Sequence, residues 1–190
     1  MCEITSYWEL STDIQASNTR EVSFKNSKLF DDFGVTKESF AISSAILLIN
    51  KFKDESFTTI KLNLVEGDDS EQDVTTYTFE RDEIEGNSAT YFEIKRLMNE
   101  FINSIYSKDL SKNFELLSIN ESLEEYESVF TQLNEGVGNG YVDTRVVGYN
   151  FQDSTFRVDA GIYYESGNLL LFSSRLRDID GTLKITGFNF

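Results

Sequence analysis

The last fifty residues place the strongest constraint on the fold, because apolar and polar side chains alternate there in four short segments. These segments are 141–150, 155–164, 169–176 and 182–190. Alternation with a period of two is typical of strands that bury one face. The connections between the segments are rich in Asp, Ser, Gly and Asn, which favour hairpin turns. The sequence therefore predicts a four-stranded antiparallel meander.

Glycine occurs inside three of these four segments, at Gly148, Gly161 and Gly187. Glycine inside a strand weakens regular pairing and often marks a bulge or a bend. We therefore expect the sheet to be strongly curved.

Three amphipathic helices are predicted before this sheet, at about 91–106, 109–117 and 121–134. Thr90 with Glu93 and Ser118 with Glu121 have the spacing of capping boxes. The apolar residues at helical spacing are Ile94, Leu97, Met98, Phe101, Ile102, Ile105, Leu110, Phe114, Leu117, Leu123, Tyr126, Phe130 and Leu133. Such stripes usually form the core, so we expect these helices to pack on the sheet.

The first half of the chain has a separate pattern. A helix is predicted from about 37 to 53, with Thr36 as its N-cap. Residues 57–65 and 74–80 alternate and are joined by a polar loop, which predicts a hairpin with one wet face. A further short strand is predicted within 21–30.

The sequence thus predicts an α+β protein in three parts. Residues 1–20 are polar and aperiodic and are predicted to form a flexible tether. Residues 21–86 are predicted to form a small α/β subdomain, in which the helix covers a small antiparallel β-hairpin or sheet. Residues 87–190 are predicted to form a domain of helices packed on the curved four-stranded antiparallel sheet.

The chain is strongly acidic, with 17 Lys and Arg against 33 Asp and Glu among 190 residues and a net charge of −16. Such a charge repels phosphate backbones, and no run of Lys or Arg opposes it, so we predict no nucleic-acid partner. Histidine is absent, which excludes His-dependent triads, His general bases and His metal ligands. The acidity is typical of a well-solvated surface, or of a protein with a basic partner.

Cys2 is the single cysteine, so no disulfide can form within the chain. A processed bacterial lipoprotein begins with a lipid-modified cysteine, and the polar residues after Cys2 suit a tether. This interpretation predicts a lipid anchor at Cys2 and a location in the cell envelope. The alternative is an ordinary second residue in a cytoplasmic protein, and no signal peptide or apolar segment of membrane-spanning length is present.

The C-terminal segment Asp180–Phe188 (DGTLKITGF) resembles the last strand of the NTF2-like (cystatin-like) superfamily. The helix over 91–106, followed by Lys108-Asp109 and a short helix, resembles that family's opening. The resemblance covers about 88–190. The family usually places strands between its second and third helices, and 118–120 leaves little room for them. The two-part layout is also similar to small lipoproteins of Bacteroidetes-type bacteria, a similarity that implies no activity.

The resemblance implies a cone-shaped fold with a pocket between helix and sheet. The residues predicted to line it are Met98, Phe101, Tyr126, Phe130 and Tyr163. Enzymes of the superfamily commonly use Asp, His or Tyr in this pocket, and His is impossible here. An Asp base with a Tyr donor would suffice for proton abstraction, and the candidates are Asp143, Asp159, Tyr141, Tyr149 and Tyr163. Because strand carboxylates and tyrosine hydroxyls usually reach solvent, we predict no catalytic residues.

Two motifs that could bind ligands are incomplete. Asp69, Glu71 and Asp73 have the alternate spacing of a calcium loop, but Val74 stands where glycine is required. The run 136–140 (GVGNG) leads into a strand and lacks the Lys-Ser/Thr of a phosphate loop, so it is predicted to end a helix instead. We predict neither a metal nor a cofactor.

Three functions remain open from the sequence. The first is a non-enzymatic, lipid-anchored binding or interaction protein of the cell envelope, with an unknown protein or a small apolar ligand as partner. The second is an acidic, immunity-type protein that binds a basic protein. The third is a small pocket enzyme of the NTF2-like isomerase or dehydratase type.

Overall fold

A computed structural model describes residues 19–25, 34–67, 73–152 and 154–190. The chain divides into two compact units, Met1–Tyr91 and Phe92–Phe190. The elements are β1 (Thr19–Lys25), α1 (Lys37–Lys51), β2 (Thr59–Glu66), β3 (Asp73–Glu80), α2 (Arg81–Tyr106), α3 (Leu110–Glu115), α4 (Leu123–Val137), β4 (Tyr141–Gln152), β5 (Thr155–Tyr164), β6 (Leu169–Ile179) and β7 (Thr182–Asn189). The prediction of an α+β protein with a four-stranded antiparallel sheet is confirmed.

The sheet of the first unit differs from the prediction. β2 and β3 are antiparallel, as expected, but β1 pairs with β2 in parallel, so the sheet is mixed and has the order β1-β2-β3. Parallel neighbours need a long crossover, and the chain that contains α1 supplies it. The antiparallel hairpin of β2 and β3 is thus present, but the prediction of a wholly antiparallel sheet was wrong, because strand direction depends on the crossover and not on side-chain alternation.

α1 begins as predicted. The Thr36 hydroxyl accepts a hydrogen bond from the Ser39 backbone N–H at 3.2 Å, which caps the first turn. The helix buries small and apolar side chains such as Ala45, Ile46 and Ile49. Of the predicted tether, Thr19 and Arg20 belong to β1, and the remaining residues lie outside the described part of the chain.

α2 begins ten residues before the predicted start, so the expected capping box at Thr90 and Glu93 lies inside the helix. Arg81 holds the first turn, because it donates hydrogen bonds to the carbonyls of Lys53 and Glu55 and pairs with Glu85. The helix therefore continues through the predicted boundary between residues 86 and 87. The two units likewise meet within this helix, after Tyr91.

In the second unit, α4 starts later than predicted, whereas α2 starts earlier. The capping box is formed by Ser122 and Glu125, one turn beyond the predicted Ser118 and Glu121. The Ser118 backbone N–H instead donates to the Ile185 carbonyl at 2.8 Å, next to an isolated bridge between Leu117 and Ile185. The segment after α3 thus pairs with β7 before the helix begins. Gly138 ends α4 with a φ of 64°, as predicted for this glycine-rich run.

The four-stranded sheet has the order β4-β5-β6-β7, and every neighbouring pair is antiparallel. The pairing shifts at Val146/Gly148 in β4 and at Arg175/Leu176, where β6 faces the stretch of β7 that contains Gly187. Bulges at two of the three predicted glycines are therefore confirmed. No helix in the described ranges is both long and apolar enough to cross a bilayer.

Candidate functional site

The two faces of the β4–β7 sheet are distinguished by one aromatic contact. The rings of Phe101 in α2 and Phe188 in β7 lie 5.3 Å apart, so the face that carries Phe188 is turned to the helix. The register places Ser174 and Val158 on this helix-facing side, beside Phe188. We call the opposite side of the sheet the outer face.

The predicted pocket residues are divided between the two faces. Met98 and Phe101 are fully buried, and Tyr126 and Phe130 are buried as well. All four are packed in the core of the second unit. Tyr163 lies on the outer face, where the Arg145 guanidinium carbon is 4.5 Å from its ring centroid. The structure therefore groups four of the five residues as core, and it separates the fifth from them.

A satisfied polar network also occupies this core. The fully buried Asn113 accepts a hydrogen bond from the Tyr126 hydroxyl at 2.6 Å. It donates to the Ser104 hydroxyl at 2.8 Å and to the Phe101 carbonyl at 3.1 Å. Burial raises the pKa of Tyr126, so the phenol remains a hydrogen-bond donor. These contacts tie α2, α3 and α4 together and have a structural role.

The candidate acid–base residues do not form an inward Asp–Tyr pair. The register puts Tyr141 and Tyr149 on the helix-facing side, where burial raises the pKa of both phenols. It puts Asp143 and Asp159 on the outer face, opposite Tyr163 and Ser173 respectively. The arrangement that a pocket enzyme of the predicted type requires is thus not assembled from these residues.

The outer face has an unexpected distribution of charge. Residues 141–190 contain five basic residues, and the register places all of them on this face: Arg145, Arg157, Arg175, Arg177 and Lys184. The described strands contribute two carboxylates to the same face, those of Asp143 and Asp159. A chain with a net charge of −16 therefore presents a locally cationic surface.

A cavity of about 510 Å³ lies on this surface. We call it the arginine cavity, and its lining residues are Arg157, Ser173, Ser174, Arg175, Gly187, Phe188 and Asn189. Arg157 and Arg175 face each other across β5 and β6, and both side chains are exposed. Ser173 and Asn189 are opposed across β6 and β7 and add neutral polar groups. The volume is within the usual range for small-molecule sites.

The charges of the two arginines are weakly neutralised. Arg157 Nε is 3.8 Å from Asp159 Oδ1, which is beyond hydrogen-bond distance. Arg175 makes no ion pair with any residue that the structure describes. Asp159 is buried, and desolvation raises the pKa of its carboxyl although the charge of Arg157 opposes this shift. The cavity therefore has a surplus of positive charge.

Ser174 is a further unusual residue at this cavity. It is 1% exposed, and its hydroxyl has no hydrogen-bond partner within the described ranges. A buried polar group without a partner costs free energy. The Ser174 side chain lies on the helix-facing side, whereas Gly187 leaves open space on the outer face, because a Cβ added there would meet no atom within 4 Å.

Two other features of the sequence, the predicted lipid attachment at Cys2 and the incomplete calcium-like spacing, lie wholly or partly outside the described residues. Cys2, Asp69 and Glu71 lie outside the described residues. Asp73 is described, and it begins β3 opposite Glu66.

Arg157, Arg175 and Asn189 were not among the candidate site residues predicted from the sequence. The sequence does contain the information, because the turn over 165–168 constrains the register of the β5–β6 hairpin. That register places Arg157 opposite Arg175. Side-chain alternation identifies the apolar face of a strand. It gives no reason to single out residues on the polar face.

No protein-family model matches the chain, and no curated protein matches it either. Among solved structures, a protein of Campylobacter jejuni assigned as an NTF2-like transpeptidase is similar, with 14% identity, 48% of this chain and 94% of that chain covered, and a TM-score of 0.38. A SEC-C motif containing protein of Rhodopseudomonas palustris is similar over 49% of this chain and 74% of that chain, with 18% identity and a TM-score of 0.34. Both TM-scores are below 0.5, so neither likeness is evidence for the function of this chain.

Proposed function

We propose that this chain is a non-enzymatic binding protein whose recognition site is the arginine cavity and whose ligand presents an anionic group there. The observation that carries the proposal is the direct opposition of Arg157 and Arg175 at a cavity of about 510 Å³. Like charges placed opposite each other destabilise a sheet. A bound anion would remove that repulsion and would accept charge-assisted hydrogen bonds from both guanidinium groups.

The polar lining favours an anionic ligand over the small apolar ligand predicted from the sequence. Ser173 and Asn189 supply neutral polar groups beside the arginines. The side chains predicted to line an apolar pocket, such as Met98, Phe101 and Phe130, are buried. We therefore favour an anionic ligand, because the cavity lies on the other side of the sheet.

The experiment is calorimetric titration of the full chain at low, fixed ionic strength with inorganic phosphate, glucose 6-phosphate and citrate, and with glucose as the neutral probe. We expect at least one anion to bind while glucose does not. Arg157→Gln and Arg175→Gln should each weaken that binding by about tenfold to a hundredfold, since a charge-assisted hydrogen bond contributes about 1.5–3 kcal/mol.

The matched control is Arg96→Gln, which makes the same change in charge on an exposed helical side chain of the same unit. It should leave the affinity within twofold of the wild type. The proposal is contradicted if none of the three anions binds, or if Arg96→Gln weakens binding as much as Arg175→Gln does.

We further propose an NTF2-like fold for the second unit. The order of elements supports it, with helices followed by a four-stranded antiparallel meander. The family's additional strands would fall where this chain has only the bridge between Leu117 and Ile185. An experimental structure that superposes on NTF2-like domains over the whole unit would support this assignment, and one that superposes over the sheet alone would contradict it.

The location in the cell envelope stays a prediction that depends on Cys2. Cells that express the native gene with its natural upstream sequence can be labelled with a clickable fatty acid. We expect the wild-type protein to take up the label and a Cys2→Ser variant to remain unlabelled. Equal absence of label from both would contradict the anchor.

The immunity-type alternative is supported by the charge of the chain. The exposed side of α4 adds to it, with Glu124, Glu125, Glu127 and Glu135. A tight complex with the basic product of a neighbouring gene, weakened by salt, would favour this alternative. In that case the acidic surface rather than the arginine cavity would form the interface, and Arg175→Gln would leave the complex unchanged.

A further inference from the structure

A second cationic pair lies next to the arginine cavity on the outer face. Arg177 in β6 is directly opposite Lys184 in β7. Arg177 is two residues beyond Arg175, so both side chains project from the same face. Two residues of an extended strand span about 7 Å. The outer face therefore holds two like-charged cross-strand pairs, offset by about 7 Å along the strands and by about 5 Å, one strand spacing, across them.

The second pair has neutral hydrogen-bond partners, so its charge is not cancelled. Arg177 Nε donates to the Thr155 hydroxyl at 3.1 Å, and Lys184 Nζ donates to the Glu115 carbonyl at 2.6 Å. A guanidinium group has five N–H donors, and an ammonium group has three. Each residue can therefore hold its present partner and still donate to a ligand.

The charges along the outer face favour one direction for an extended ligand. On one side of the Arg157–Arg175 pair lies Asp159, whose carboxylate would repel a second anionic group. On the other side lies the Arg177–Lys184 pair, which would attract it.

We infer that the ligand carries two anionic groups about 8 Å apart, the first bound between Arg157 and Arg175 and the second between Arg177 and Lys184. This inference rests on the proposed function, because it takes the arginine cavity as the binding site. Phosphate and carboxylate groups share the required chemistry, since guanidinium donors match the oxygens of both. The ligand class is thus an organic bisphosphate or a dicarboxylate with a polar or short aliphatic body.

The test compares probes that differ by one anionic group, in calorimetric titrations of the full chain at low, fixed ionic strength. One arm uses glucose 6-phosphate and glucose 1,6-bisphosphate, and the other uses hexanoate and adipate. In the arm that matches the ligand chemistry, the probe with two anionic groups should bind about tenfold more tightly than the probe with one, which corresponds to one further charge-assisted contact. Equal affinities for the two probes in both arms would overturn the inference.

The decisive variant is Arg177→Gln. It should remove the tenfold preference for the probe with two anionic groups and leave the affinity for the probe with one anionic group within twofold of the wild type. Lys184→Gln should have the same effect, and it serves if loss of the contact with Thr155 prevents Arg177→Gln from folding. If both variants fold and the preference survives in both, the second group binds elsewhere and the inference is wrong.

Arg96→Gln is again the control for the overall charge of the chain. If it lowers the preference as much as Arg177→Gln does, the preference comes from long-range attraction, and the inference is overturned. Failure of the inference is distinguishable from failure of the proposed function. Binding of a probe with one anionic group that depends on Arg175 would uphold the proposed function even when a second anionic group adds nothing to the affinity.

Discussion

The helix-facing side of the β4–β7 sheet and its outer face are built from alternate residues of the same strands, yet they differ in almost every property. Val158, Ile162 and Ile185 on the helix-facing side are fully buried, and they pack in the core with the helices. The outer face has two opposed cationic pairs, a buried carboxyl and a cavity. We infer that residues on the helix-facing side stabilise the fold and that residues on the outer face bind the ligand. Substitutions on the first face should therefore change stability, and substitutions on the second should change affinity.

The largest effect is expected in the helical core. Asn113→Ala removes three hydrogen bonds and leaves the Tyr126 hydroxyl buried without its acceptor. It should lower the free energy of unfolding by about 3 kcal/mol or more, and Tyr126→Phe by only about 1 kcal/mol. Urea denaturation measures both. Similar small losses in the two variants would contradict the structural role of the network, while anion affinity of the folded protein should be unchanged in either case.

Two glycines of the outer face differ in the space that surrounds them. A methyl group at Gly161 would lie 2.6 Å from Leu169 Cδ1 and 3.2 Å from Leu171 Cδ2, whereas one at Gly187 would meet nothing within 4 Å. Gly161→Ala should therefore cost about 1–3 kcal/mol of stability through overpacking.

Gly187→Ala should cost less than about 0.5 kcal/mol, as surface substitutions usually do. Since Gly187 lines the arginine cavity, this variant should instead weaken anion binding. Thermal melts and titrations of the same two samples provide the measurement. A destabilised Gly187→Ala with normal binding would reverse the assignment of this glycine to recognition.

Asp159 gives a pH-dependent test of the outer face. Burial raises the pKa of its carboxyl above the ordinary value of 3.8, so the folded state holds this proton more tightly than the unfolded state does. Stability should therefore fall as pH rises from the unfolded-state value through the raised folded-state value. Asp159→Asn escapes this loss and should melt at a higher temperature than the wild type at pH 7.

The advantage of Asp159→Asn should disappear below the ordinary pKa, where the carboxyl is protonated in both states. Melting temperatures of both proteins across the acidic and neutral range provide the check. An advantage that is the same at every pH would show that ionisation of Asp159 is not its source. The variant should also bind anions more tightly at neutral pH, because a negative charge beside the cavity is gone.

The smallest expected effect is on the stability of the arginine variants. Arg175→Gln relieves the repulsion from the opposed Arg157, so it should raise the free energy of unfolding by about 0.2–1 kcal/mol. Denaturation in low and high salt measures this, and the gain should shrink in high salt. A loss of stability in Arg175→Gln would mean that this arginine supports the fold and would weaken its assignment to recognition.

Much of the second unit follows from its sequence. Period-two alternation gave the four strands, and the stripe through Met98 and Phe101 gave the core of α2. Both patterns report a buried face directly. The predicted starts of α2 and α4 were wrong because contacts between residues remote in sequence decide where these helices begin. Arg81 binds the carbonyls of Lys53 and Glu55, and Ser118 pairs with Ile185.

The candidate site was harder to predict than the fold. The Arg157–Arg175 pair depends on which residues face each other across strands, and the cavity between them depends on Gly187 and on the bulge beside Arg175. The sequence predicted a pocket on the helix-facing side from a family resemblance. The rings of Phe101 and Phe188 are in contact on that side, and the candidate cavity lies on the polar outer face, to which the resemblance did not point.

The most direct test of the account is to observe which face of the sheet an anion contacts. Backbone amide shifts of the full-length, isotopically labelled chain can be followed during titration with glucose 6-phosphate. We predict that the backbone amide signals of Arg157, Ser173, Arg175 and Asn189 shift during the titration and that these shifts are lost in Arg175→Gln. Shifts confined to the helix-facing residues Met98, Tyr126 and Phe130, or the absence of any shift, would contradict it.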